Sequence, residues 1–466
     1  MVVEKAAKRP RPSTISLVIA VLLIPAVLGS SQMIFNDGDV SWHIATGLWI
    51  LDHRAIPQVD PFSFTWGGKP WVPIEWLAEL IYASAYRVAS YPGVAALVTA
   101  ALIGLHAAVF LNANRSVRMA LLPIVAMDLV LIPMLLARPH VLTWPILAWW
   151  CWLMMRAREQ GRAPPLAAAL LMTLWANLHG GYVFGLAIAA AFGLEALVAS
   201  GDKARAFRQW LIFGLACAAA VFINGNGVEG VFHPLRFTQL EMLPLIDEWK
   251  PSSPAKTPFA FGVLAVVVVL IAWRRPRLHW VRWLLLAALL GAALLQVRHQ
   301  STLAIVAAML LPAGFANSSQ GATDSSWKWV LLGGAGILLG IRAAMPIDLP
   351  QNEANPWKLI AAVPPELRSQ PVLNGYSMGG PLILSGIRPY VDGRGDMYGD
   401  NLVVGFSRMS RGDAKLFDDI VRRWNIRWAI VPNDSGLVRL LDGSSGWRRI
   451  YRDEVGAIYV RNPSAS

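Results

Sequence analysis

Long apolar stretches alternate with short polar ones along most of the chain. We identify eleven stretches with the length and apolar character of membrane-spanning helices. They lie near residues 14–34, 92–112, 119–136, 140–155, 164–178, 181–199, 209–224, 258–273, 282–297, 299–315 and 327–345. The pattern therefore predicts an α-helical polytopic membrane domain over residues 1–345, with a serine-rich flexible link at 317–326.

The pattern changes after residue 345. Short apolar segments at 372–373, 389–391, 428–431 and 457–460 predict strands, and the segments near 379–385 and 413–424 predict helices. Residues 346–466 are thus expected to form a small α/β domain, which we call the tail domain.

Composition and charge support a membrane protein. The chain is 55% hydrophobic and 15% charged, with a mean hydropathy of +0.47, which is too apolar for an ordinary soluble domain. Lys and Arg concentrate in alternate connecting segments, so the positive-inside rule places the N-terminus in the cytoplasm. We predict a multi-pass protein of the inner (plasma) membrane with a periplasmic, extracytoplasmic tail domain. The net charge of +12 then reflects topology rather than nucleic acid binding.

The first apolar stretch follows basic residues but is longer than a signal-peptide core, so we expect a retained anchor helix. Cys151 and Cys217 both lie inside apolar stretches. No disulfide framework or thiolate zinc site is therefore predicted.

The first outer loop, residues 35–91, predicts two interfacial helices. Apolar residues recur at helical spacing in the first of them, and the second carries a polar face; the residues are Val40, Ile44, Leu48 and Leu51, then Glu75, Glu79, Tyr82 and Tyr86. Asp39 stands where the first helix begins. It either caps that helix or acts as a general base, and Asp37 is the alternative acid.

Basic residues collect on the predicted outer side. Six of the eight histidines lie there, at positions 43, 53, 140, 179, 233 and 299. Arg138 and Arg298 lie in short outer turns, where the positive-inside rule disfavours them. Their guanidinium groups can hold a phosphate at two points, and neighbouring histidines can donate to its other oxygens. The alternative is contact with lipid headgroups.

Residues 375–380, Gly-Tyr-Ser-Met-Gly-Gly, fit the G-x-S-x-G pattern of α/β-hydrolases. In that fold a histidine base follows the serine along the chain, whereas the last histidine here is His299. We therefore interpret the motif as a tight glycine turn and not as a nucleophile site.

The layout resembles the GT-C glycosyltransferases, notably the lipid A aminoarabinose transferases and the protein O-mannosyltransferases. Asp39, His43, Gly47 and the segment Trp71–Trp76 occupy the places of that family's acidic motif, Tyr, Gly and Pro-containing helix entry. Val40 stands in place of the second acid, and His43 in place of the Tyr. The chain also resembles a group of bacterial membrane proteins that carry an Asp-x-x-Trp-His opening and a Val-Asp-Gly-Arg tail motif, here 39–43 and 391–394.

The resemblance implies transfer of a sugar from a polyprenyl-phosphate donor to an extracytoplasmic glycan, lipid or protein, with inversion. Asp39 or Asp37 would be the catalytic base. The residues expected to bind substrate are His43, Glu75, Arg138, His140, Asn177, His179, His233, Glu248, Trp249, Arg298 and His299. Asp392 and Arg394 are expected to pair and to shape a tail-domain loop that faces the site. The pattern indicates no metal ligand and no firm cofactor, although a divalent metal is compatible with such an enzyme.

Two other classes remain open. The chain could be a scaffold or polysaccharide assembly component that keeps the layout and binds a lipid-linked glycan without transferring sugar. A histidine-based metal transporter is the weaker alternative, because its ligands should lie near the membrane midplane rather than at the outer surface.

Overall fold

The computed structural model describes residues 18–113, 117–315 and 327–462. The basic N-terminal residues and the serine-rich stretch at 317–326 lie outside this described part. The protein is mostly helical, with one small sheet in the tail domain.

The helical domain begins with the π-helical turn Ile19–Leu23. Its α-helices are α1 Ile24–Gly29, α2 Asp39–His53, α3 Trp76–Ala113, α4 Val117–Leu131, α5 Pro139–Glu159, α6 Leu170–Leu178, α7 Tyr182–Ala199, α8 Lys203–Ala220, α9 Gly227–Phe237, α10 Pro258–Arg274, α11 Trp280–Leu295, α12 Gln300–Phe315 and α13 Trp327–Ala344. Within the described residues, each predicted apolar stretch coincides with a helical segment, so their helical structure is confirmed.

Membrane crossing is a separate matter from helix formation. Two segments, Trp76–Asn112 and Tyr182–Ala199, are long and apolar enough to cross a membrane by length and composition. The other apolar helices are shorter, between 10 and 17 residues. The helices by themselves do not establish the eleven predicted crossings.

The first outer loop contains the two predicted helices, but they are arranged differently. The second one is the start of α3, which continues into the next apolar stretch without an intervening loop. A break at Ala89 and Ser90 separates the two halves of α3. Ser90 adopts a positive φ of 51° and lies two residues before Pro92. A proline cannot donate a helical hydrogen bond, so the axis changes at this point. α2 packs along the first half of α3.

The tail domain contains α14 Trp357–Ala361, α15 Gly379–Leu384, α16 Gly395–Ser410, α17 Ala414–Arg423 and α18 Gly436–Asp442. Its strands are β1 Val372–Asn374, β2 Trp428–Pro432, β3 Trp447–Arg452 and β4 Gly456–Arg461. They form one sheet in the order β1-β2-β4-β3, in which β1 and β2 are parallel and the other pairs antiparallel. The predicted strands at 372–373, 428–431 and 457–460 are confirmed, as are both predicted helices.

One predicted strand is wrong, and one strand was not predicted. Residues 389–391 form no strand, because the side-chain amide of Asn374 accepts from Tyr390 N and donates to Val391 O, both at 2.8 Å, in place of a ladder. β3 was missed because it is an edge strand, Trp-Arg-Arg-Ile-Tyr-Arg, with most of its side chains exposed. Such charged edges protect a sheet against further pairing and hide the apolar alternation.

The tail domain rests on the first outer loop of the helical domain. Thr65 Oγ1 donates to Tyr390 O at 2.7 Å, and Arg388 donates to Ser63 O at 2.8 Å. The amide of Asn355 donates to Phe35 O at 2.7 Å. These contacts come from loops on both sides, so the interface fixes the tail domain over the start of α2.

Candidate active site

A cavity of about 880 Å³ lies between the helical domain and the tail domain. Its walls include most of the residues that the sequence singles out. Among the lining residues are Asp39, Glu75, Arg138, His140, His179, His233, Glu248, Trp249, Arg298 and His299. These positions are far apart along the chain, and the fold brings them together.

Asp37 and Asp39 have different roles at the start of α2. Asp37 Oδ1 accepts a hydrogen bond from Asp39 N at 2.8 Å, so Asp37 satisfies the free backbone donor. Asp39 is the first residue of the helix and not its cap. The expectation that Asp39 might serve only as the cap is wrong, and its carboxylate is left to face the cavity.

Arg138 is surrounded by three carboxylates. Its Nη1 lies 3.2 Å from both Asp37 Oδ2 and Glu248 Oε2, and its Nη2 lies 3.2 Å from Asp39 Oδ2. The Arg138 side chain is 22% exposed. It points into the protein and not outward towards a lipid surface, which argues against the headgroup interpretation.

Burial governs the charge of Asp39. Removal from water and the neighbouring Asp37 carboxylate raise the pKa of Asp39 to about 7, although Arg138 opposes the shift. A carboxyl with this pKa can both lose and accept a proton near neutral pH.

Glu248 joins the two arginines. Its Oε1 lies 3.8 Å from Arg298 Nη1, while its Oε2 contacts Arg138. Burial would raise the pKa of Glu248, but the two guanidinium groups outweigh it and lower that pKa to about 2. The Arg298 guanidinium lies 4.2 Å from the centre of the Trp249 ring, so one face of this tryptophan is already covered.

A second polar cluster lies between α2 and the start of α3. His43 Nε2 is 3.8 Å from Glu75 Oε2, His43 Nδ1 is 3.5 Å from Glu79 Oε1, and His179 Nε2 is 3.6 Å from Glu75 Oε1. These separations exceed a hydrogen bond, and neither ring nitrogen of the buried His43 has a hydrogen-bond partner among the residues that the structure describes. Burial lowers the pKa of His43 and raises that of Glu75 to about 8, so this wall is largely uncharged at neutral pH.

Other predicted residues have mainly structural partners. His140 Nε2 is 3.0 Å from Met134 O, and the ring of His299 meets Phe184 edge-on. Asn177 does not line the cavity. Its oxygen accepts from Trp76 Nε1 and Gly225 N, and its nitrogen donates to Thr173 O and Ile223 O, so its amide is fully occupied.

Asp392 and Arg394 form the expected pair, at 2.7 and 2.8 Å. Arg394 also donates to Asp60 Oδ1 at 2.7 Å, and all three side chains are inaccessible to solvent. The pair does not face the cavity itself. It holds the 391–396 loop so that Gly393 and Gly395 do.

The cavity residues that were missed as site candidates include Glu79, Tyr376 and Asp396. Asp396 Oδ2 lies 3.0 Å from His233 Nε2, which joins the tail domain to α9. The spacing of Glu75 and Glu79, four residues apart on a helix, could have indicated Glu79. Tyr376 and Asp396 gave no local signal, because their role depends on how the tail domain docks.

The Gly-Tyr-Ser-Met-Gly-Gly segment connects β1 to α15 through the short 3-10 turn Tyr376–Met378. Among the described residues, no hydrogen bond joins Ser377 to a histidine. A Cβ at Gly380 would lie 2.1 Å from Gly38 O, and one at Gly393 would lie 1.7 Å from Asp39 Oδ1. The prediction of a tight glycine turn with no room for side chains is confirmed. The surface against which Gly380 packs is the start of α2.

Over the part of the chain that the structure describes, no group of three or more His, Cys, Asp or Glu side chains has a metal-binding arrangement. Comparison of the sequence with protein-family models gives no match, and comparison with curated proteins gives none. The chemistry of this cavity is therefore the basis for assigning a function.

Proposed function

We propose that the protein is a GT-C-type glycosyltransferase that moves a sugar from a polyprenyl-phosphate donor to an extracytoplasmic hydroxyl acceptor. The observation that carries the proposal is the pairing, in one cavity, of a carboxyl whose pKa is about 7 with two partly buried arginines, Asp39 with Arg138 and Arg298. The first suits a general base, and the second suits a phosphate leaving group.

In the proposed reaction, the acceptor oxygen attacks the anomeric carbon of the sugar. Its proton passes to Asp39, the bond from the anomeric carbon to the phosphate oxygen breaks, and the bonding electrons leave with the polyprenyl phosphate. Arg138 and Arg298 stabilise the negative charge that develops on the phosphate. Attack from the face opposite the phosphate inverts the anomeric centre.

The setting of this reaction is part of the proposal. The helical domain would cross the inner (plasma) membrane several times, with the N-terminus in the cytoplasm and the tail domain outside. The cavity would then open where the lipid of the donor can enter between helices. The two helices with membrane-spanning length and the apolar, exposed faces of α8 and α10 support this placement.

One observation favours the second candidate, a scaffold that binds a lipid-linked glycan without transfer. Arg138 is already neutralised by Asp37, Asp39 and Glu248, so its charge does not by itself require a phosphate. Such an arrangement could be purely structural.

The deciding experiment uses purified protein with a panel of radiolabelled polyprenyl-phosphate sugars and mixed acceptors, scored for release of polyprenyl phosphate. Release that depends on both sugar donor and acceptor supports the transferase. Binding of the same lipids without any release would establish the scaffold in its place.

A further inference from the structure

The Glu248 carboxylate lies between Arg138 and Arg298 and contacts each of them through a different oxygen, Oε2 to Arg138 at 3.2 Å and Oε1 to Arg298 at 3.8 Å. Two oxygens of a phosphate group that bridges two guanidinium groups would make the same pair of contacts. Glu248 thus occupies the place that the phosphate of a donor would take.

A bound phosphate and Glu248 are not compatible at this position. Asp37, Asp39 and Glu248 already surround Arg138, and an added anion would place four acidic groups around two arginines. Like charges at contact distance in a poorly hydrated cavity repel strongly. One carboxylate therefore has to leave when a phosphate enters.

The structure distinguishes which carboxylate can leave. Asp37 is held by the backbone of Asp39, and Asp39 lies beneath the backbone of Gly393. Glu248 has the longest side chain, lies on the three-residue turn Asp247–Trp249, and is 33% exposed, against 20% for Asp37 and 18% for Asp39.

Contacts that do not involve the Glu248 side chain hold Arg298 in place. The Arg298 guanidinium lies over the Trp249 ring, and that ring packs against Phe237 with centroids 5.0 Å apart. Val297 N also donates to Lys250 O at 3.1 Å, which ties the two loops together. Glu248 can rotate away while the phosphate-binding groups keep their positions.

We propose that the ligand phosphate binds by exchange with the Glu248 carboxylate, so that Glu248 selects for anions able to bridge Arg138 and Arg298, as a lipid phosphate ester does. This inference rests on the proposed function, because it assumes that the two arginines bind the phosphate. It adds that the protein supplies its own competing anion.

The test measures binding of undecaprenyl phosphate to the full-length protein in detergent. Glu248→Gln should tighten binding about tenfold or more, because the neutral amide no longer competes for the arginines. Glu248→Asp keeps the charge but shortens the reach, and should tighten binding by a smaller factor. Asp247→Asn is the matched control, since it removes one charge from a neighbouring side chain that is 92% exposed; its affinity should stay within about twofold of wild type.

Unchanged or weaker binding in Glu248→Gln would overturn the exchange, and so would equal tightening in Asp247→Asn. Inorganic phosphate should bind every variant at least 100-fold more weakly than the lipid; equal affinities would overturn selection for a lipid ester. If Arg138→Ala and Arg298→Ala do not weaken lipid binding, phosphate recognition fails and the proposed function fails with it. If both weaken binding and Glu248→Gln does not tighten it, the exchange alone is wrong.

Discussion

Two arginines in this protein each contact several acidic groups, and they differ in how closely the surroundings confine them. Arg394 donates to Asp392 and Asp60 at 2.7 to 2.8 Å and is fully buried between Phe62 and Trp71. Arg138 makes looser contacts, each of 3.2 Å, and borders the cavity. A complete hydrogen-bond set marks the first as structural, and a looser, more accessible set leaves the second able to exchange partners.

The largest effect on stability should come from removing Arg394 from its buried cluster with Asp392 and Asp60. Arg394→Ala leaves the buried carboxylates of Asp392 and Asp60 without their cation, which should lower the free energy of unfolding by about 3–5 kcal/mol. Thermal denaturation of the purified protein measures the loss. Arg388→Ala, which removes a single bond to Ser63 O at the same interface, is the control and should cost much less. Equal stability of Arg394→Ala and wild type would show that this cluster does not hold the tail domain.

In the cluster that borders the cavity, formed by Arg138 and its three carboxylates, a substitution should abolish the chemistry and leave the fold intact. Asp39→Asn keeps the shape of the side chain, and Asp37 Oδ1 can still accept from the backbone N of residue 39, so thermal stability should stay near wild type and donor binding should not weaken. An amide cannot accept the acceptor proton, and transfer should fall by about 100-fold or more. The radiolabelled transfer assay measures this.

Asp37→Asn serves as the comparison for Asp39, since asparagine caps a helix about as well as aspartate. It should lower transfer less. Activity that survives in Asp39→Asn and is lost in Asp37→Asn would move the base to Asp37. Full activity in both variants would remove the acid from the mechanism.

Loss of either cavity arginine, Arg138 or Arg298, should weaken ligand binding by a moderate amount. Arg138→Ala and Arg298→Ala should each reduce the affinity for a polyprenyl phosphate by roughly 1.5–3 kcal/mol, the usual range for a charged hydrogen bond. Arg275→Ala, at the exposed end of α10, should have no comparable effect. Similar small losses at all three positions would mean that general electrostatic attraction suffices.

The pH dependence of transfer and of stability should report the titration of Asp39. Because the pKa of Asp39 is raised to about 7, the base is protonated below that pH, and kcat/KM for transfer should rise about tenfold per pH unit up to about pH 7 before levelling. The raised pKa also means that Asp39 contributes less to stability as pH rises from about 4 through about 7. Asp39→Asn should abolish the trend in rate and reduce the trend in stability, to which Glu75, with a pKa of about 8, contributes with the same sign. A pH–rate slope that persists in this variant would assign the titration to another group.

The smallest effect is expected at Ser377. Ser377→Ala should leave transfer within about twofold of wild type, because Ser377 is not hydrogen-bonded to a histidine within the described structure. A fluorophosphonate probe should label neither protein. Labelling of wild type that disappears in Ser377→Ala would restore the hydrolase interpretation.

The parts of this molecule that a local pattern determines were predictable. Long apolar runs located the helices, and short apolar segments located β1, β2 and β4. Asp39, Arg138 and Arg298 were indicated by charge in unexpected places. The capping role of Asp37 was not, because two acids two residues apart offer the same side-chain chemistry and only the backbone geometry decides between them.

Contacts between distant parts of the chain could not be predicted from local sequence patterns. Asn177 was expected to bind substrate, yet its amide is fully hydrogen-bonded to Trp76, Thr173 and the 223–225 turn. Asp396 reaches His233 only because the tail domain docks over α9. Neither contact leaves a periodic signal in the sequence.

The close approach of Gly393 to Asp39 has a consequence for biosynthesis. The Asp39 carboxyl is synthesised early, but the Gly393 backbone that covers it belongs to the tail domain, which is synthesised after the helical domain. Until that domain folds and docks, Asp39 and Arg138 stay open to water, so the nascent chain cannot yet have the pKa that suits Asp39 to proton transfer. A chain that stalls or is cut before the tail domain would lack the enclosed Asp39 carboxyl, and docking of the tail domain would complete the cavity.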